Sequence, residues 1–123
     1  MANTISWFEI PVLDFERAKK FYSGLLSYNI QEQSWEDTKM GFLAGMDSQG
    51  ISGAIVWGKG YEPSEKGTLV YLNGGEDLSG MLDKVELNGG KIILPKTLIN
   101  EDYGYFAMFI DTEGNRIALH SMK

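Results

Sequence analysis

Residues 6–26 read SWFEIPVLDFERAKKFYSGLL, a strand, a short turn and an amphipathic helix, and the same plan returns in the second half of the chain. A duplication of this kind narrows the possible folds sharply, because both copies must find a use for the same pattern. In the first copy Ile5 to Val12 is rich in β-branched and aromatic residues, as strands are. Pro11 closes that run, since it has no N–H to give a ladder. Asp14 stands where a helix N-cap belongs. Phe15, Ala18, Phe21, Tyr22, Leu25 and Leu26 follow at spacings of three and four, forming one apolar stripe. Arg17, Lys19 and Lys20 fall outside it, toward water.

The remainder of the first half reads as three strands. Tyr28 to Trp35 is the first, and Glu36-Asp37-Thr38 a turn. Lys39 to Met46 is the second, Asp47-Ser48-Gln49-Gly50 a turn, and Ile51 to Trp57 the third. The small pair Gly53-Ala54 in this last strand implies close approach by another backbone or a ligand. Gly58 to Lys66 is a polar loop and the natural linker. In the second half Thr68 to Asn73 is a strand and Asp77 caps a helix carrying Leu78, Met81, Leu82 and Val85. Asn88-Gly89-Gly90 ends that helix through a left-handed glycine. Lys91 to Leu94 begins a strand, Pro95 to Asp102 is a loop, and Tyr103 to Ile110 is a strand. Asp111 to Asn115 is a hairpin turn before Arg116 to Met122. Laid over each other, Asp14 matches Asp77, Phe15 matches Leu78, Ala18 matches Met81, Tyr22 matches Val85 and Ile30 matches Ile93.

The expected architecture is therefore α+β: two tandem βαβββ modules forming a curved, partly closed mixed sheet with helices outside, enclosing a cleft. Residues 1–123 form one domain, with module boundaries at about 1–60 and about 61–123. The chain contains no cysteine, which excludes disulfides, thiolate metal sites and a cysteine nucleophile. Its net charge is −6 and no Lys/Arg cluster stands out, so nucleic acid is not an expected partner. No apolar run approaches a membrane span and no signal-peptide pattern opens the chain, so a cytoplasmic location and no membrane association are expected. No glycine-rich phosphate loop leads from a strand into a helix.

The duplicated plan resembles the vicinal oxygen chelate superfamily, the group of glyoxalase I, bleomycin-resistance proteins and extradiol dioxygenases. WFEIPVLDFERAKKFYSGLL is similar to that family's opening strand, capping Asp and "RA…FY" helix. GGKIILPK…GYFAMFIDTEGNRIALHS is similar to its closing strands and D-x-x-G-N turn. The Trp-x-Glu start and the Gly-Gly-Lys stretch are closest to small bacterial glyoxalase-like proteins of unassigned activity. The resemblance also implies a homodimer, and the apolar load of Tyr103 to Ile110 agrees with one.

Metal-dependent members of the superfamily place His or Glu on the first and last strands of each half, around a divalent Lewis acid. Here the first position falls on Trp7 and the last on Ala118. Neither Ile51 to Trp57 nor Thr68 to Asn73 contains His, Asp, Glu or Cys in any register. No metal and no other cofactor are therefore expected. Glu9 and His120 remain, each two residues from an empty ligand position and on the same strand face. They are the catalytic candidates, Glu9 as a desolvated base and His120 as its acid–base counterpart. Trp7, Glu9, Trp57, Tyr71, Met108 and His120 are the candidate ligand-pocket residues, an aromatic wall with polar anchors. The expected function is binding of a small apolar or aromatic molecule in the sheet cleft. The alternatives are a superfamily lyase, isomerase or dioxygenase using a loosely held divalent metal or Glu9 and His120, and an interaction module with its cleft filled by its own side chains.

Overall fold

A computed structural model describes residues 3–45 and 48–123. Met46 and Asp47, assigned above to the end of a strand and the start of a turn, lie outside the described residues. The chain divides into two compact units, Met1–Pro63 and Ser64–Lys123. The boundary falls within the polar stretch read as a loop.

In the first unit β1 (Phe8–Pro11), α1 (Phe15–Leu26), β2 (Gln31–Trp35), β3 (Thr38–Phe42) and β4 (Gly53–Trp57) follow in order. The strands form one sheet in the order β1-β4-β3-β2, with β1 parallel to β4 and the other pairs antiparallel. Pro11 is the last residue of β1, an edge strand, where a missing N–H does least harm. Asp14 caps α1 as its spacing predicts, accepting from the Arg17 N–H at 3.1 Å. Phe15, Ala18, Phe21, Tyr22 and Leu25 are buried against the sheet, while Leu26 is only half-buried. Each large side chain so buried contributes about 1.5–3 kcal/mol. The helix closes at Ser27, a non-glycine residue with φ of 51°, and the Tyr28 N–H reaches back to the Ser23 carbonyl at 3.1 Å. A Cβ at Gly41 would lie 2.9 Å from both Ile30 and Ile55, so glycine there lets those side chains fill the helix side of the sheet.

The second unit repeats this plan as β5 (Val70–Asn73), α2 (Ser79–Leu87), β6 (Lys91–Asn100), β7 (Gly104–Ile110) and β8 (Arg116–Ser121). Its sheet has the order β5-β8-β7-β6, again with the first and last strands parallel. The fold is thus α+β, two tandem modules each built as one four-stranded mixed sheet with one helix, and neither sheet closes on itself. Asp77 lies just ahead of α2, whose assigned cap is Leu78. Its carboxylate still takes a backbone donor, the Ser79 N–H at 2.9 Å, and a 2.9 Å ion pair from Lys96. The Ser121 hydroxyl accepts the Leu78 N–H at 2.9 Å, tying the start of α2 to the end of β8. Gly89, at φ of 102°, ends the helix as expected, with the Gly90 N–H on the Val85 carbonyl at 2.9 Å.

One difference from expectation is large. β6 does not stop at Leu94 but runs through Pro95 to Asn100. It is an edge strand, and its pairing with β7 shifts register between Leu94 and Thr97. Pro95 sits in that irregularity, where no ladder donor is demanded of it.

Candidate functional site

Strand register sorts the candidate residues by face. In the first unit Glu9 pairs with Ala54, and Ala54 with Phe42, so the three share one face. The other face carries Ile10, Ile55 and Gly41 and looks toward α1. Trp7, just ahead of β1, lays its ring 6.1 Å from that of Phe42, on the helix-free face. Trp57 pairs with Lys39 and belongs to the opposite face, where the Lys39 ammonium sits 5.9 Å from its ring centroid. Trp57 therefore does not join Trp7 and Glu9, although all three were candidates for one wall.

Neither tryptophan is core, with Trp7 43% and Trp57 40% exposed. Glu9 is exposed as well, so it lacks the burial that a desolvated base requires. It is nevertheless held. The Tyr61 hydroxyl donates to Glu9 Oε1 at 3.0 Å from fifty-two residues away. By accepting that bond, and by its charge, Glu9 keeps the Tyr61 phenol above the usual range, so its proton stays on. Tyr61 was not among the candidates. Its signal in the sequence is an aromatic residue within an otherwise polar Gly/Pro loop, GKGYEPSEKG.

In the second unit Tyr71 pairs with Ala118, Ala118 with Met108, and His120 with Asn73 and Phe106. These six share a face. Ser121, which binds the first turn of α2, points the other way. Tyr71 is half-exposed, Met108 and His120 are half-buried, and Ala118 is fully buried. The His120 ring places Nε2 2.6 Å from the Tyr103 carbonyl oxygen. A carbonyl only accepts, so Nε2 carries the hydrogen and, in the neutral ring, Nδ1 keeps the lone pair. Glu9 and His120 thus lie in different units, each with its own partner inside that unit.

The D-T-E-G-N turn has a structural task. Asp111, 5% exposed, accepts the Glu113 and Asn115 N–H groups through Oδ1 at 2.8 and 2.9 Å. Its Oδ2 accepts the Asn115 side-chain amide at 3.0 Å. Asn115 Oδ1 in turn accepts the Ser64 N–H at 3.0 Å, so the turn also holds the start of the second unit.

Among the described residues no three His, Asp or Glu side chains gather. The strand positions expected to hold ligands carry Trp7 and Ala118, and β4 and β5 offer no ligating acid or imidazole.

Comparison with known proteins gives one consistent answer. The family model described as the Glyoxalase/Bleomycin resistance protein/Dioxygenase superfamily matches residues 4–119. A "Glyoxylase-like domain-containing protein" of the fungus Didymella fabae is 34% identical over 119 residues, covering 94% of this chain and 91% of that protein. The kinship is therefore not confined to bacteria. Among solved structures, glyoxalase I from Zea mays superposes with a TM-score of 0.69 at 17% identity, over 95% of this chain and 45% of that one. TnmS3, an antibiotic binding protein from Streptomyces sp. CB03234, gives 0.59 at 22% identity, over 98% of each chain. Among the described residues no helix is long and apolar enough to cross a membrane.

Proposed function

Because the chain belongs to the glyoxalase/bleomycin resistance protein/dioxygenase superfamily, we propose that it binds a small apolar or aromatic molecule on a helix-free sheet face, without the metal site common in its relatives. The observation that carries this reading is the pairing of carbon side chains at the ligand positions with aromatic side chains around them. Trp7 and Phe42 offer ring surface in the first unit, and Tyr71, Phe106 and Met108 offer apolar surface in the second. Polar anchors accompany both sets: Glu9 held by Tyr61, and His120 held by the Tyr103 carbonyl. An antibiotic binding protein of the same fold supports the reading, since a scaffold of this kind serves small-molecule binding there.

The test is a thermal-shift screen of the purified protein against flat aromatic compounds and, separately, divalent ions. Saturable stabilisation by an aromatic compound is expected, reaching about 2.7 kcal/mol at a hundredfold excess over Kd. Strong saturable stabilisation by one divalent ion, and by no organic compound, would overturn the reading. A second reading, acid–base turnover at His120, draws on the fixed imidazole with its Nδ1 lone pair. NMR of any bound compound over hours separates the two, since a binder leaves it intact.

A further inference from the structure

The strap that follows β4 carries a feature beyond simple occupancy of the sheet. Tyr61 hydrogen-bonds Glu9 with its only proton. What the pair then presents outward is acceptors alone: the phenol lone pairs, the second carboxylate oxygen and the negative charge. No ion pair neutralises Glu9 among the described residues. The lysines given partners in this unit are engaged elsewhere, Lys19 with Glu32 at 3.9 Å and Lys39 over Trp57. On the same sheet face stand the Trp7 and Phe42 rings, tilted at 60° to one another.

We propose that Glu9 and Tyr61 form an acceptor-only recognition pair for a ligand whose flat ring bears a cationic, hydrogen-bond-donating nitrogen. The inference rests on the binding reading above and adds to it the charge and donor character of the ligand. Each element has a physical role. A charge-assisted N–H bond to a carboxylate is stronger than its neutral counterpart. A tryptophan face attracts the same cation and stacks the ring that carries it. An anionic or acceptor-only ligand meets repulsion from Glu9 and finds no donor in the pair itself, because the one hydroxyl proton is already committed and the neighbouring carboxylate keeps it in place. Tyr61 is a positioning residue: it fixes which oxygen of Glu9 faces the ligand. The net charge of −6 favours approach of cations over the whole surface.

Three probes that differ only in the ring substituent test this: benzamidinium, benzyl alcohol and benzoate. They are titrated into the full chain at low salt, following the Trp7 indole N–H resonance, identified with Trp7→Phe. Benzamidinium is expected to bind at least about tenfold more tightly than either other probe. Glu9→Gln should abolish that preference, and Tyr61→Phe should reduce it several-fold, while both variants keep the parent melting temperature. A merely structural Tyr61 would shift melting and leave the charge preference alone. If benzyl alcohol or benzoate binds as well as benzamidinium, or Glu9→Gln keeps the preference, the inference falls and the aromatic-binding reading stands. If no probe perturbs Trp7 at any concentration, the inference falls, and the thermal-shift screen decides the aromatic-binding reading separately.

Discussion

Replacing Asp111 by alanine removes the acceptor of three hydrogen bonds at once, at a residue only 5% exposed. Two of the donors are backbone N–H groups of Glu113 and Asn115, which have no freedom to turn toward water. Each buried donor left unpaired costs about 1–3 kcal/mol, so with three donors a total of about 3–9 kcal/mol is expected. That is a large share of the ~5–15 kcal/mol stability of an ordinary domain. Asp111→Asn is the sharper experiment. Its amide oxygen can still accept both backbone N–H groups, but its NH₂ then faces the NH₂ of Asn115, and about 1–3 kcal/mol is lost. The reciprocal pair Asp111→Asn with Asn115→Asp restores a donor opposite an acceptor, and the carboxylate introduced at position 115 can still accept the Ser64 N–H. Urea unfolding of the parent, the two singles and the pair closes a double-mutant cycle, with the pair expected to recover most of the loss. Asp111→Ala costing under about 1 kcal/mol, or a pair no better than the sum of its singles, would refute this account of the turn.

Two further outcomes follow from the geometry. Gly53→Ala should destabilise by at least about 2 kcal/mol, because its methyl meets the Phe8 carbonyl oxygen of the parallel partner strand and lies 2.7 Å from the Phe8 ring; unchanged urea midpoints would contradict this. Asp77, depressed to about 2 first by the Ser79 N–H and then by Lys96, contributes stability in full above the ordinary carboxylate value of about 4 and loses it as pH falls through about 2. A carbon-13 carboxyl titration should place its midpoint there, and Lys96→Ala should raise it; an ordinary midpoint in the parent protein would remove the argument.

The parts of the fold legible in the sequence are those fixed by near neighbours. Asp14 announces α1 because a cap and the backbone N–H it accepts are three residues apart, and Gly89 ends α2 for the same kind of reason. The repeat was legible because each module sets its own helix stripe and turns. β6 was not, since Pro95 argues against a strand unless one knows the strand lies at an edge and shifts register there. At the site, Glu9 and His120 could be placed on strand faces by counting in twos. Trp57 misleads by the same arithmetic, because one residue of parity separates the two sides of β4. Tyr61 could not be joined to Glu9 at all, since no local rule links residues fifty-two positions apart.

The unusual course of β6 bears on how this protein behaves in concentrated solution. Ten residues of edge strand, with Ile93, Leu98 and Ile99 substantially exposed, offer a template onto which a stray extended chain could zip. Pro95 interrupts the row of donors midway, Lys96 adds charge beside it, and the shifts in register bend the margin out of line. A length of sheet that would otherwise invite aggregation is thereby broken into pieces too short to recruit a neighbour.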